Sequence, residues 1–253
     1  MKALVIGDIC RDIFVYGNCE RISPEAPIPV LSKTSFSENM GMAGNVVSNL
    51  KYFKCDVDLI SNKESITKTR YVDSVSNYIL LRVDDEPKIS PINFSSIPSF
   101  KNYDFIIISD YNKGFLSTED IEKILKICKN EKIITFMDTK KVIGDWAKDC
   151  SFIKINEKEY NNKLHKKYLE GAKISEKLIV TLGSRGSKHN GRIIPTEAVQ
   201  VRDVSGAGDT YLAGLAVYFC KTKDIFASMK FANKCARSVV SQPGVSTPKD
   251  MEM

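Results

Sequence analysis

Apolar residues along the chain fall in short runs that stop abruptly at a polar residue or a glycine. Ala3-Leu-Val-Ile6 runs into Gly7-Asp8, Asp104-Phe-Ile-Ile-Ile108 into Ser109-Asp110, and Lys132 to Met137 into Asp138. Ser151 to Ile155 ends at Asn156, and Lys177 to Leu182 ends at Gly183. Runs of this length without alternation predict strands buried on both faces, as in a mostly parallel sheet. Helical spacing lies between and around them. Gly41 to Lys54 places apolar residues at 43, 46, 47, 50 and 53, and Ser117 to Asn130 opens on a capping serine with Asp120 three positions later. Two closing helices are predicted near 207–221 and 224–241, and Asn190-Gly191 predicts a hairpin joining Ser187-Lys-His189 to Arg192-Ile-Ile194.

Two stretches break this rhythm. Between Ile13 and Asn39, the β-like pieces Phe14-Val-Tyr16 and Ile28-Pro-Val-Leu31 flank Arg21-Ile-Ser-Pro-Glu-Ala-Pro27, and Pro24, Pro27 and Pro29 exclude a helix. Thr67 to Val72 and Tyr78 to Asp84 read as paired strands around a turn at 73–77. The expected fold class is α/β: one domain over 1–253, with β excursions at about 13–39 and 67–84 and a polar linker over 85–100. Polar residues at the carboxyl ends of parallel strands place a ligand cleft along one sheet edge.

Composition narrows the chemistry. A formal charge of +6, from 37 basic and 31 acidic residues, is spread without a basic block. That argues against nucleic acid and for a small anionic ligand, with Lys163-Leu-His-Lys-Lys167 read as a solvated helix face. The seven cysteines show no Cys-x-x-Cys pair, and His165 and His189 both stand in polar, surface-like settings. Reduced thiols, no zinc and no Ser-His-Asp arrangement are expected. No stretch approaches the roughly 18 apolar residues of a membrane span, so a cytoplasmic chain without membrane contact is expected.

The most informative stretch is Asp203-Val-Ser-Gly-Ala-Gly-Asp-Thr210, set before the apolar run Tyr211 to Phe219. Glycines at a helix mouth let backbone N–H groups converge on an anion, aided by the helix dipole. Asp209 inside such a cradle suits a proton acceptor, whereas the plain alternative is a helix start capped by Ser205 or Asp209. Asp8 and Asp12 can face one cleft and suit polyol hydroxyls, or can be a turn aspartate and a surface acid paired with Arg11. Asn45 lies in the first turn of its helix. Walker, Rossmann and protein-kinase signatures are absent.

Asp203 to Thr210 resembles the signature of the ribokinase-like (PfkB) sugar kinases. Further segments resemble one branch, the bacterial D-glycero-D-manno-heptose-7-phosphate kinases: Gly7 to Asp12, Arg21 to Val30, Lys68-Thr-Arg70 with Leu80 to Asp84, Ser109 to Gly114, Asn156-Glu-Lys-Glu159 and Val180 to Gly183. The resemblance implies a ribokinase-like, mostly parallel sheet flanked by helices, with a small β lid. It implies ATP-dependent phosphorylation of a sugar phosphate, heptose 7-phosphate at its anomeric hydroxyl, with Asp209 as base and the amides of Gly206, Ala207 and Gly208 around the transferred phosphoryl group.

By the same resemblance Asp8, Asp12 and Asn45 would hold sugar hydroxyls, and Arg70, Arg82 and Lys113 a phosphate already on the sugar. Thr181, Gly183, Gly186 and Asn233 would shape the nucleotide channel. Asn156 and Glu159 would organise Mg²⁺ and phosphates through water, although a helix cap and a first-turn acid satisfy the same spacing. Asp203, with the Gly244 region, would be a site for a monovalent cation such as K⁺, and the lid would pair across a homodimer.

The chain departs from the family in two places. Gly-Gly before the Asn45 helix appears as Gly41-Met42, and only Ser61 to Ile66 remains where a Gly-x-Asp-x-x-Gly segment with a helix and a strand is expected. A fused cytidylyltransferase, and hence nucleotidyl transfer, is not expected. Two other readings stay open: a kinase for another sugar or a nucleoside, and a trimmed non-catalytic protein that binds a sugar phosphate or nucleotide.

Overall fold

The computed structural model describes residues 1–162, 174–242 and 244–251. The basic cluster Lys163 to Lys167, with His165, lies outside the described residues. In chain order the strands are β1 (Lys2–Gly7), β2 (Ile9–Ile22), β3 (Pro29–Met42), β4 (Asp56–Ile60), β5 (Thr67–Asp73), β6 (Ile79–Asp85), β7 (Phe105–Asp110), β8 (Ile134–Thr139), β9 (Phe152–Asn156), β10 (Leu178–Thr181), β11 (Ser187–His189) and β12 (Arg192–Ile194). The helices are α1 (Ala43–Tyr52), α2 (Thr118–Asn130), the short α3 (Glu157–Tyr160), α4 (Ala207–Thr222) and α5 (Ile225–Val240).

Eight strands form the main sheet in the order β12-β11-β10-β9-β8-β7-β1-β4. The pairings from β10 through β4 are parallel, and the Asn190-Gly191 hairpin adds β11 and β12 antiparallel at the edge. The apolar runs are explained by burial on both faces. Leu4, Ile6, Ile106 and Ile108 pack with Ile121, Ile124 and Leu125 of α2 on one side. Ala3, Val5, Phe105 and Ile107 pack with α1, α4 and α5 on the other.

Helix ends follow local chemistry. Ser117 and Asp120 form a reciprocal capping box at α2. After α2 the chain turns through Lys132, at φ +59°, so β8 begins at Ile134, two residues later than the apolar pattern suggests.

The excursions form a separate four-stranded sheet, β3-β2-β5-β6. Where the sequence suggests short pieces, β2 and β3 are continuous 14-residue strands, paired antiparallel from Ile9 opposite Met42 to Ile22 opposite Pro29. The prolines affect only the turn and the first residue of β3, where a missing N–H costs little. His189 corrects a second expectation. It is buried, with Nδ1 2.8 Å from the Leu178 carbonyl, because the short β11 folds its side chain against the aromatic Phe152 and Phe226. No helix among the described residues is long and apolar enough to cross a membrane.

Candidate active site

The parallel strands β1, β7, β8, β9 and β10 end on one edge of the main sheet, and the N-terminus of α4 stands over that edge. Gly206 precedes α4 at φ +77°, where an L side chain is strained. Space excludes one as well: a Cβ on Gly206 would lie 2.5 Å from Asn45 Nδ2, and one on Gly208 would lie 2.7 Å from Lys154 Nζ. This mouth therefore presents only glycine backbone to the cleft at Gly206 and Gly208.

Asp209 sits in the first turn of α4 and is buried. Its Oδ2 accepts from Asn45 Nδ2 at 3.0 Å and its Oδ1 from the Tyr111 hydroxyl at 2.8 Å. Asn45 is itself oriented by Asn49, whose Nδ2 reaches Asn45 Oδ1 at 3.1 Å and its carbonyl at 2.8 Å. Burial raises the Asp209 pKa to about 6, with the Asp138 charge adding to the rise and Asn45, Tyr111 and Lys154 opposing it. A carboxylate poised there can accept a proton near neutral pH.

Asp8, just past β1, is almost fully buried. Its Oδ2 accepts the Tyr111 backbone N–H at 2.7 Å, while Oδ1 has no hydrogen-bond partner, and burial raises its pKa. Asp12, in β2, is paired with Arg70 of β5 at 2.7 Å. That pair answers the open question about Asp12, which faces inward while Arg11 pairs with Glu38 instead. The other two phosphate candidates are already engaged: exposed Arg82 binds Asp84 of its own strand, and Lys113 binds Glu86.

On the far side of Asp209, Lys154 of β9 lies 2.6 Å from Asp138 at the end of β8. Asn156 and Glu159 form a reciprocal capping box on α3, with distances of 2.8 and 2.9 Å, and Lys140 takes the remaining Glu159 oxygen at 2.6 Å. The cap reading of Asn156-x-x-Glu159 is therefore realised in the structure, at the rim of the cleft. Burial opposes the Lys140 charge, but Asp138, Glu159 and Asp209 outweigh it and raise its pKa.

Two adjoining cavities run over this edge. A polar one of about 570 Å³ is lined by Tyr111, Asp138, Lys154, Asn156, Gly208 and Asp209. A more apolar one of about 240 Å³ is lined by Thr181, Gly183, Gly186, Tyr211, Asn233 and Ala236 among others. Asn233 is held by the Ile194 carbonyl at 2.9 Å. Asp203 accepts the Ser205 N–H at 2.8 Å beside the cradle. Arg70, Arg82 and Lys113 line neither cavity.

Sequence alone does not single out Tyr111, Lys140 or Lys154. The visible signal for Lys154 is a lysine inside the apolar run Phe152-Ile-Lys-Ile155, a position where a charge must have a buried partner.

A family model described as "pfkB family carbohydrate kinase" matches residues 81–251. The bifunctional protein HldE of Helicobacter pylori strain J99 is 32% identical over 294 aligned positions, covering 96% of this chain and 63% of that protein. This chain thus spans under two thirds of that relative's length, and an alignment longer than 253 residues means the relative carries residues that this chain lacks. Among solved structures, Escherichia coli phosphofructokinase-2 in complex with potassium matches with a TM-score of 0.70 at 14% identity, covering 98% of this chain and 94% of that one. Arabidopsis thaliana ribokinase, complexed with ribose and ATP, matches with a TM-score of 0.68 at 15% identity, covering 96% and 93%. The α/β architecture is that of the ribokinase-like kinases.

Proposed function

The chain belongs to the pfkB family of carbohydrate kinases and is a carbohydrate kinase, and from that premise we propose that it transfers the γ-phosphoryl group of ATP to the anomeric hydroxyl of heptose 7-phosphate. The observation that carries the transfer is Asp209: a buried carboxylate with a pKa near 6, placed in the first turn of a helix whose mouth is built from Gly206 and Gly208. The choice of sugar is supported by the Arg21-Ile-Ser-Pro-Glu-Ala-Pro27 run and by the likeness to HldE.

In this reading Asp209 takes the proton of the acceptor hydroxyl as that oxygen bonds to the γ-phosphorus and the bond to ADP breaks. The Gly206 and Gly208 amides would meet the transferred group, joined by the Ala207 amide once it exchanges the Val204 carbonyl for it, and Lys154 supplies a buried positive charge beside Gly208. Asp8, with one buried oxygen unpartnered, accepts from a sugar hydroxyl, assisted by Asp12 and Asn45. Arg70, Arg82 and Lys113 would meet the sugar's own phosphate only by exchanging carboxylate partners for it. Thr181, Gly183, Gly186 and Asn233 border the apolar cavity that suits an adenine.

Among the described residues no group of three acidic, histidine or cysteine side chains could hold a metal ion, and both Glu159 oxygens are engaged. This donor set fits a Mg²⁺ held mainly by nucleotide phosphates, with Glu159 and Asn156 acting through water. Bound Mg²⁺ would neutralise charge on those phosphates. Asp203 and the Gly244 turn are the candidate place for K⁺.

The four-stranded sheet acts as a lid in this proposal. Ile79, Leu81 and Val83 of its edge strand are exposed, which supports pairing with a second copy. In this reading the chain works in the cytoplasm. A coupled ADP-release assay with heptose 7-phosphate, run beside a panel of unphosphorylated sugars and nucleosides, tests the reading. Sugar-dependent turnover highest with heptose 7-phosphate supports it. Preference for an unphosphorylated acceptor, or binding without turnover across the panel, overturns it.

A further inference from the structure

Tyr111 follows β7 directly and reaches both halves of the site. Its backbone N–H donates to Asp8 Oδ2 at 2.7 Å, and its hydroxyl donates to Asp209 Oδ1 at 2.8 Å. With Asn45 on Oδ2, both oxygens of the buried Asp209 carboxylate are occupied by donors. A base takes a proton only from a group within hydrogen-bonding reach; each carboxylate oxygen can accept two hydrogen bonds, so an acceptor hydroxyl reaches Asp209 most directly by taking over the position of one of the two donors.

The two donors differ in how firmly they are held. Asn45 is anchored twice by Asn49 within α1, and its carboxamide also reaches the Gly206 carbonyl at 3.3 Å. Tyr111 stands on irregular chain, next to Asn112 at φ +57°, and its side chain lines the open polar cavity. Its hydroxyl is also like for like: a sugar O–H offers Oδ1 the same kind of donor.

We propose that Tyr111 is a positioning residue that covers Asp209 Oδ1 while the sugar site is empty and yields that oxygen to the acceptor hydroxyl when a sugar engages Asp8. This rests on Asp209 being the base of a sugar kinase. The link between the two acids is covalent, because the residue whose N–H binds Asp8 is the residue whose hydroxyl covers Asp209. Water is the competing acceptor. Its oxygen would bond to the γ-phosphorus, the bond to ADP would break, and its proton would need Asp209. Coverage by Tyr111 keeps water from that oxygen until sugar is present.

The titratable and charged groups facing Asp209 are Tyr111 beyond β7, Asp138 and Lys140 at the end of β8, and Lys154 of β9. Among them the Tyr111 hydrogen bond favours the ionised carboxylate, so losing the hydroxyl raises the Asp209 pKa in the free enzyme.

Tyr111→Phe keeps the ring and removes the hydroxyl. ADP release with ATP alone is expected to rise about tenfold over the unsubstituted protein, and the acidic limb of kcat/KM to move up by about half a pH unit. The acidic limb of kcat stays in place, because in the ternary complex the hydroxyl has already left Asp209. Tyr111→Leu, with ATP affinity as the check on folding, serves if the Phe variant is not recovered. Unchanged hydrolysis of ATP alone, or an unmoved kcat/KM limb, overturns the proposal. Asp209→Asn separates the two levels: if it retains transfer, the base assignment falls and this proposal with it, whereas if it is inactive and Tyr111→Phe moves neither readout, only this proposal falls.

Discussion

Lys154 Nζ lies 2.6 Å from Asp138 Oδ2, and neither side chain is more than 5% exposed. Burial pushes the Asp138 carboxyl up, but Lys154 and Lys140 outweigh it and hold it below its ordinary value. The pair also sits directly beneath the amide cradle, since the Lys154 ammonium limits the space at Gly208. Structure and proposed chemistry thus meet in one ion pair.

Lys154→Met should separate the two roles. Removing one partner leaves the buried Asp138 with only the longer Lys140 contact of 3.8 Å, at a cost of about 3 kcal/mol. Adding Asp138→Asn should recover most of that loss in thermal melts. ADP release should stay roughly a hundredfold down in both variants, because the positive charge beside the cradle is gone. Recovery of turnover in the double variant would count against a role for Lys154 in transfer.

Asp209→Asn should trade activity for stability. The folded pKa is raised from 3.8 to about 6, so the native state binds more protons than the unfolded chain across that window. Stability from this group is therefore full below the unfolded value and is lost as pH rises through about 6. The Asn variant should be more stable than the parent at pH 7.5 by about 1 to 2 kcal/mol, allowing for one donor left without an acceptor. That gain should vanish near pH 4, while turnover falls about a thousandfold. Melting curves across pH check the sign.

Met42 caps α1 at φ +57° and ψ −130°, a conformation that favours glycine, yet its side chain is buried in the core. Substitution to alanine or glycine opens the same cavity, so comparing the two isolates the backbone. Met42→Gly should be about 1 kcal/mol more stable than Met42→Ala, the reverse of their order in an ordinary helix or strand. Denaturant melts of both proteins test this.

Asn62 clasps Ile9 from both sides. Its Oδ1 accepts the Ile9 N–H at 2.7 Å, and its Nδ2 donates to the Ile9 carbonyl at 3.2 Å and to the Glu64 carbonyl at 2.7 Å. The clasp lies in the shortened link between β4 and β5, where one carboxamide serves the backbone groups that a neighbouring strand would otherwise pair. Asn62→Ala should cost about 1 to 3 kcal/mol. It should raise KM for the sugar more than KM for ATP, because Ile9 follows Asp8. An equal rise in both would argue against that coupling.

The chain's patterning was enough to read the main sheet, its strand ends, the hairpin and the closing helices. These depend on local information: apolar runs buried on both faces, caps at fixed offsets, and Asn-Gly at a tight turn. The glycine mouth before Asp209 was legible for the same reason, since its spacing is contiguous. Less legible was the length of β2 and β3. β3 is largely polar and exposed, β2 mixes apolar and polar positions, and only pairing with each other and of β2 with β5 makes them continuous.

The sequence by itself determined the fold class, the family and the position of the candidate base. Tertiary structure decided which side chains surround that base. Tyr111 and Asn45 meet Asp209 from 98 and 164 residues away, and Lys154 meets Asp138 from the neighbouring strand. It also placed Arg70 on Asp12 and gave Arg82 and Lys113 acidic partners of their own. Such partnerships depend on register and on which strand ends converge. Hydrogen bonds and ion pairs act over a few ångströms in space, and spacing along the chain does not encode them.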